Sequence, residues 1–185
     1  MTDDNKRELE EYRKYLERLA ESNSPDMFSN GGIKHASILM SVLFQDTDEA
    51  RIYCCGFRPD LITTEPYWGE LNNYLKNPQH ILHVLIEQDN YKTEEPLTRL
   101  HEIMNQRQDE TIQVRLISNE GKQMITDRFG TGHCNFAVFD GKKFRFEYDP
   151  DFFKAFGSFN QPDKCKILTE LFDDAFNVST PLWQN

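Results

Sequence analysis

Apolar residues recur at alternating spacings of three and four through Leu9, Tyr12, Leu16 and Leu19, with Glu8, Glu11, Arg13, Lys14 and Arg18 between them. That pattern is the narrow seam of a helix, predicted over residues 3–21. Two heptads are too few for a free coiled coil, so the seam either docks on its own domain or pairs across a dimer. Ser22-Asn23-Ser24-Pro25-Asp26 breaks the helix, and Asn30-Gly31-Gly32 reads as a flexible joint. The expected division is an N-terminal amphipathic helix, 1–24, and one domain, 25–185.

Beyond the joint the periodicity alternates between helix and strand. Residues 33–44 are helical in pattern, and 50–57 form a nearly continuous apolar strand of the kind a sheet covered on both faces requires. A helix is predicted over 66–75, a strand over 81–86, a helix over 95–106 with Pro96 in its first turn, a strand over 112–117 and a short helix over 121–129. Residues 133–139 and 143–148 make a hairpin around Asp140-Gly141, a strong turn signal. A final helix covers 163–176. Strands alternating with helices predict an α/β fold: a mixed, mostly parallel sheet flanked by helices.

Composition narrows the class. The 185 residues are 38% apolar and 28% charged, an ordinary globular mix. No stretch approaches the roughly 20 apolar residues of a membrane span, and no apolar core follows Met1-Thr2-Asp3-Asp4-Asn5-Lys6-Arg7, so neither membrane association nor a signal peptide is expected. Cys54, Cys55, Cys134 and Cys165 lack any C-x-x-C spacing and read as buried free thiols of a cytoplasmic protein. The net charge of −10, from 31 acidic and 21 basic residues, argues against broad neutralisation of nucleic-acid phosphates, though a local basic groove would escape that argument.

The chemistry-bearing segment is His133-Cys134-Asn135-Phe136-Ala137-Val138-Phe139-Asp140-Gly141, followed by Gly157-Ser158-Phe159-Asn160. It resembles the phospholipase D-like phosphodiesterase superfamily, whose signature is H-x-K-x4-D followed by G-S-x-N. His133 and Asp140 take the histidine and aspartate positions, and Gly157, Ser158 and Asn160 match the second half. With the order of elements upstream, the resemblance covers residues 33 to 183. It implies a histidine, His133, that attacks phosphorus and is relieved in a second step, beside a lysine, serine and asparagine that hold the phosphoryl oxygens. It implies no metal and no cofactor. Because one motif is present where the reaction needs two histidines, it also implies a twofold homodimer.

The chain departs from that pattern. Asn135 stands where the family has lysine, and an amide donates hydrogen bonds without carrying charge. Sixteen residues separate Asp140 from Gly157, a longer stretch than is usual in the family, and they include Arg145, Glu147, Asp149 and Asp151. If Arg145 points inward beside His133, its guanidinium replaces the missing charge, with Glu147 orienting the histidine. The plainer readings are an ion-paired strand face for Arg145 and Glu147, a hairpin turn for Asp140, a carbonyl partner for Asn135, and turn and cap duty for Ser158 and Asn160. His80 and His83 share no face, and His35 and His101 lie on helices. No nucleotide-binding glycine loop or nucleophile elbow is present.

Three functions follow as expectations. The first is a degenerate, catalytically impaired dimeric module that binds a phosphate-bearing ligand or a partner. The second is a metal-independent phosphodiesterase or nuclease acting through His133 across a homodimer. The third is an interaction protein working through its N-terminal helix.

Overall fold

The architecture follows from two short-range decisions, where helices cross over and where turns are tight. In the computed structural model, which describes residues 3–107 and 109–183, the chain runs α1 (Asp3–Glu21), β1 (Phe28–Asn30), α2 (Ile33–Phe44), β2 (Glu49–Cys54), α3 (Pro59–Ile62), α4 (Tyr67–Lys76) and β3 (Ile81–Ile86). It continues with α5 (Leu97–Arg107), β4 (Ile112–Leu116), α6 (Asn119–Phe129), β5 (Asn135–Phe139), β6 (Lys143–Asp149), β7 (Lys154–Ser158), α7 (Pro162–Asn177) and β8 (Thr180–Pro181). The strands form one sheet in the order β1-β7-β6-β5-β2-β3-β4-β8.

The expectation of a mostly parallel sheet is corrected: the sheet is mostly antiparallel. Among the described residues only β2–β3 and β3–β4 pair in parallel, while β1–β7, β2–β5, β4–β8, β5–β6 and β6–β7 are antiparallel. Helical crossovers join β2 to β3 and β3 to β4, as parallel pairing demands. From β5 to β7 the links are short turns, which can join only antiparallel neighbours. The strands β1, β7 and β8 had no counterpart in the sequence pattern.

Both faces of the sheet are covered. One core packs α2, α4 and α5 against Ile52, Val84, Ala137 and Phe139; the other packs α6 and α7 against Tyr53, Leu85, Phe136 and Val138. Alternate residues of β5 therefore serve opposite cores, as the two-residue period of a strand requires. Helix α1 lies on the first core. Leu16 is fully buried, Leu9, Tyr12 and Leu19 pack against the same core, and the Tyr12 ring lies tilted against His35 with centroids 4.4 Å apart. The seam predicted for α1 thus faces the chain's own α2.

At the β5–β6 turn, Asp140 and Gly141 both take positive φ, 50° and 63°, the conformation of the type I′ turn that the Lys142 N–H closes on the Phe139 carbonyl. The Asp140 carboxylate accepts from the N–H groups of Asp48 and Glu49 at 2.9 and 3.0 Å. Beside it, Lys143 Nζ donates to the Gln45 carbonyl and to Thr47 Oγ1 at 2.9 and 2.5 Å. All four cysteines are free, Cys134 and Cys165 buried and Cys54 and Cys55 partly exposed. Among the described residues no helix is long and apolar enough to cross a membrane.

Candidate functional site

At the opposite end of β5 from that turn, strand pairing assembles a buried polar cluster. Asn135 lies across from Glu147, and Ala137 across from Arg145. Residues 145 and 147 are two apart on β6 and point to the same face as Asn135. Glu147 Oε1 accepts from Arg145 Nη2 at 2.5 Å, and Glu147 Oε2 accepts from Asn135 Nδ2. Asn135 Oδ1 accepts the Cys55 N–H at 3.0 Å at the end of β2. Arg145 Nε donates to Asn30 Oδ1 on β1 at 3.3 Å, and Asn30 Nδ2 donates to the Phe153 carbonyl. The Arg145 and Glu147 side chains are only 6% and 3% exposed.

These partners explain the amide at position 135. It must accept from one neighbour and donate to the other, which an amide does and an ammonium cannot. The buried pair is held together by its own Coulomb attraction, and the Asn30 and Asn135 amides satisfy further valences, as a desolvated ion pair requires.

Asn135, Arg145 and Glu147 line a cavity of about 290 Å³ whose walls include Met40, Ile52, Phe57, Ile62 and Tyr67. His133 also lines it, beside Asp151 and Arg58. The His133 ring is largely exposed, with Nε2 3.4 Å from Asp151 Oδ2. The carboxylate beside His133 is therefore that of Asp151, while both Glu147 oxygens are engaged elsewhere. Arg58 is bound to Asp60 at 2.6 Å, and its guanidinium lies 4.7 Å from the Phe153 ring centroid. Burial, then Glu87, Glu147 and Asp151, push the Cys55 thiol up to about 11, and burial raises Cys54 further. Both stay protonated near neutrality and are poor nucleophiles.

The structure brings together four of the sequence-selected residues, His133, Asn135, Arg145 and Glu147, and leaves three outside the cavity. Asp140 holds the hairpin turn. Ser158 Oγ donates to the Ser24 carbonyl at 3.4 Å, and Asn160 Nδ2 donates to the Asn23 carbonyl at 3.1 Å. Both tie β7 to the link after α1. The long spacing after Asp140 has a direct meaning: it supplies β6, which stands between β5 and the Gly-Ser-x-Asn segment on β7. Sequence reasoning missed Asn30, Cys55 and Arg58, and it named Asp151 without a role. Asn30 sat in what read as a joint, and nothing local marked the other two. Among the described residues no group of His, Cys, Asp or Glu side chains gathers as metal ligands.

No protein-family model matches the sequence, and a search of curated proteins finds no significant match. Solved structures do match. The chain is similar to Nuc, a phospholipase D family member from Salmonella typhimurium, at 12% identity and a TM-score of 0.54, covering 86% of this chain and 100% of that one. It is also similar to TrmBL2, an archaeal chromatin protein whose structure shows a novel mode of DNA binding, at 12% identity and a TM-score of 0.57. That match covers 97% of this chain and 66% of the archaeal chain. The chain has a phospholipase D-like α/β fold.

Proposed function

We propose that this chain is a degenerate phospholipase D-like domain that has lost phosphodiester hydrolysis and uses the cavity beside His133 to bind a ligand. The observation that carries the reading is the Arg145–Glu147 pair. Phosphoryl transfer needs cationic donors free to meet charge as it develops on the phosphoryl oxygens. Here the family's lysine is replaced by Asn135, and the Arg145 charge is already matched by Glu147 at 2.5 Å. Diverting Arg145 to a phosphate would strand a buried carboxylate, at a cost of roughly 3–5 kcal/mol.

A second reading has one observation in its favour. His133 stands open at the cavity mouth with the Asp151 carboxylate at 3.4 Å, the kind of partner that orients a catalytic imidazole. A phosphodiesterase built this way would take its second histidine from another copy of the chain. DNA binding of the archaeal kind is disfavoured, since 31 acidic against 21 basic residues supply little counterion release. Work through α1 is disfavoured too, because its apolar seam is buried against α2 and a partner would meet its charged faces.

The test is hydrolysis of bis-p-nitrophenyl phosphate and of single-stranded DNA in EDTA, by the wild type and by His133→Ala. Neither protein should exceed the uncatalysed rate. Turnover by the wild type that disappears in His133→Ala, with a dimer seen by light scattering, would establish the enzymatic reading instead.

A further inference from the structure

The polar end of the cavity has donors without acceptors. Arg145 Nε is taken by Asn30, and Nη2 by Glu147. Its remaining nitrogen, Nη1, hydrogen-bonds to none of the described residues, although the side chain is only 6% exposed. That nitrogen is not sealed from its surroundings, and the side chain that carries it lines the cavity. Asn135 uses one N–H on Glu147 and its oxygen on Cys55, which leaves a second N–H. Both side chains line the cavity. The site asks for an acceptor oxygen.

The charge of that acceptor is limited by the surroundings. Arg145 and Glu147 cancel locally. Of the charges that also line the cavity, Glu87 and Asp151 are acidic, and the cation Arg58 is paired with Asp60. An entering anion therefore meets a field that is neutral to negative, and would lose its hydration without a free cation in return. The carboxylates that a cation would need are already engaged, Glu147 by Arg145, Glu87 by Tyr53 and Lys122, and Asp151 by His133. The rest of the wall is mostly aliphatic and aromatic, interrupted by the Gln88 amide, the Cys54 and Cys55 thiols and the His133 imidazole. The 290 Å³ volume is about twice that of a cavity that takes benzene, enough for on the order of ten non-hydrogen atoms.

We infer that the cavity binds a small, uncharged, mostly apolar ligand through a carbonyl oxygen — an amide, lactam or ketone — received by Arg145 Nη1 and Asn135 Nδ2. This rests on the reading of the cavity as a binding site, and it excludes phosphate as the recognised group.

Four molecules with one ring and different heads test it: benzamide, benzoate, phenyl phosphate and benzamidine, each titrated against the full chain by ligand-observed NMR. Benzamide should bind about tenfold or more tightly than the other three. In the double variant Arg145→Met/Glu147→Leu the head-group preference should vanish while weak binding of the ring persists. Replacing both ions together avoids leaving one buried alone. The wild-type order is decisive even if the double variant does not fold. Benzoate, phenyl phosphate or benzamidine binding as well as benzamide overturns the ligand class but leaves the cavity a binding site. No binding by any of the four overturns both. Turnover of bis-p-nitrophenyl phosphate that is lost in His133→Ala overturns the binding reading alone.

Discussion

At the scale of single residues, position 135 shows most directly how the site is held together. Asn135 accepts from the Cys55 N–H at 3.0 Å and donates to Glu147, so it joins the end of β2 to β6 at the polar end of the cavity. Introducing the lysine of the phospholipase D-like pattern, Asn135→Lys, removes the acceptor and places a second cation beside Arg145. The variant should lose about 1–3 kcal/mol in urea denaturation without acquiring phosphodiesterase activity. Stability equal to the wild type would mean that the Cys55 and Glu147 bonds do not hold the site together. The alternation of Arg145 and Glu147 with Phe144 and Phe146 made a polar face on β6 legible in the sequence. Its burial was not legible, because that depends on Asn30 arriving from a strand more than 100 residues away.

At the scale of elements, the strong periodic segments were readable and the short edge strands were not. The predicted helix 33–44 and strand 81–86 coincide with α2 (Ile33–Phe44) and β3 (Ile81–Ile86), since each carries enough residues for a period to show. Strands β1 (Phe28–Asn30) and β8 (Thr180–Pro181) are too short to have one, and their pairing is decided by the sheet they join. Strand β7 was hidden differently: its Gly157-Ser158 reads locally as a turn. Gly157 is required there by close approach. A Cβ at this position would lie 2.1 Å from the Phe144 carbonyl oxygen and 2.6 Å from the Phe28 ring. Because the obstacle includes backbone of β6, side-chain rotation cannot relieve it. Gly157→Ala should cost about 3 kcal/mol by separating β7 from β6 and β1, measurable as a fall in the urea midpoint. A midpoint shift of less than a few tenths molar would show that β7 can move freely and does not clamp β1, with its Asn30, against the site.

At the scale of the whole molecule, the alkaline limb of stability follows from which protons the fold retains. Burial raises the thiols of Cys55, Cys134 and Cys165 to about 11, 12 and 12, and raises Cys54 still further. It likewise holds Tyr12, Tyr53, Tyr67 and Tyr74 above the ordinary tyrosine range. Above about pH 9 the unfolded chain releases these protons while the folded chain keeps them, so stability falls as pH rises. Lys143 acts in the opposite sense. Burial lowers its ammonium to about 8 from 10.5, against the pull of Asp140, Asp46 and Asp48, and Nζ is enclosed by Gln45 and Thr47. Between those two values the unfolded chain binds more protons at this site than the folded one, so the Lys143 contribution grows with pH, by up to ~1.4 kcal/mol per pH unit. The thiols and tyrosines outnumber the one lysine, and wild-type stability should decline from about pH 9. Lys143→Met should decline more steeply. Urea melts of both proteins from pH 7 to 9.5, in the presence of a reductant, separate the terms: the wild-type-minus-variant difference should rise with pH. A difference that stays flat would show that Lys143 keeps its ordinary charge when buried, and that Thr47 and the Gln45 carbonyl solvate it as well as water does.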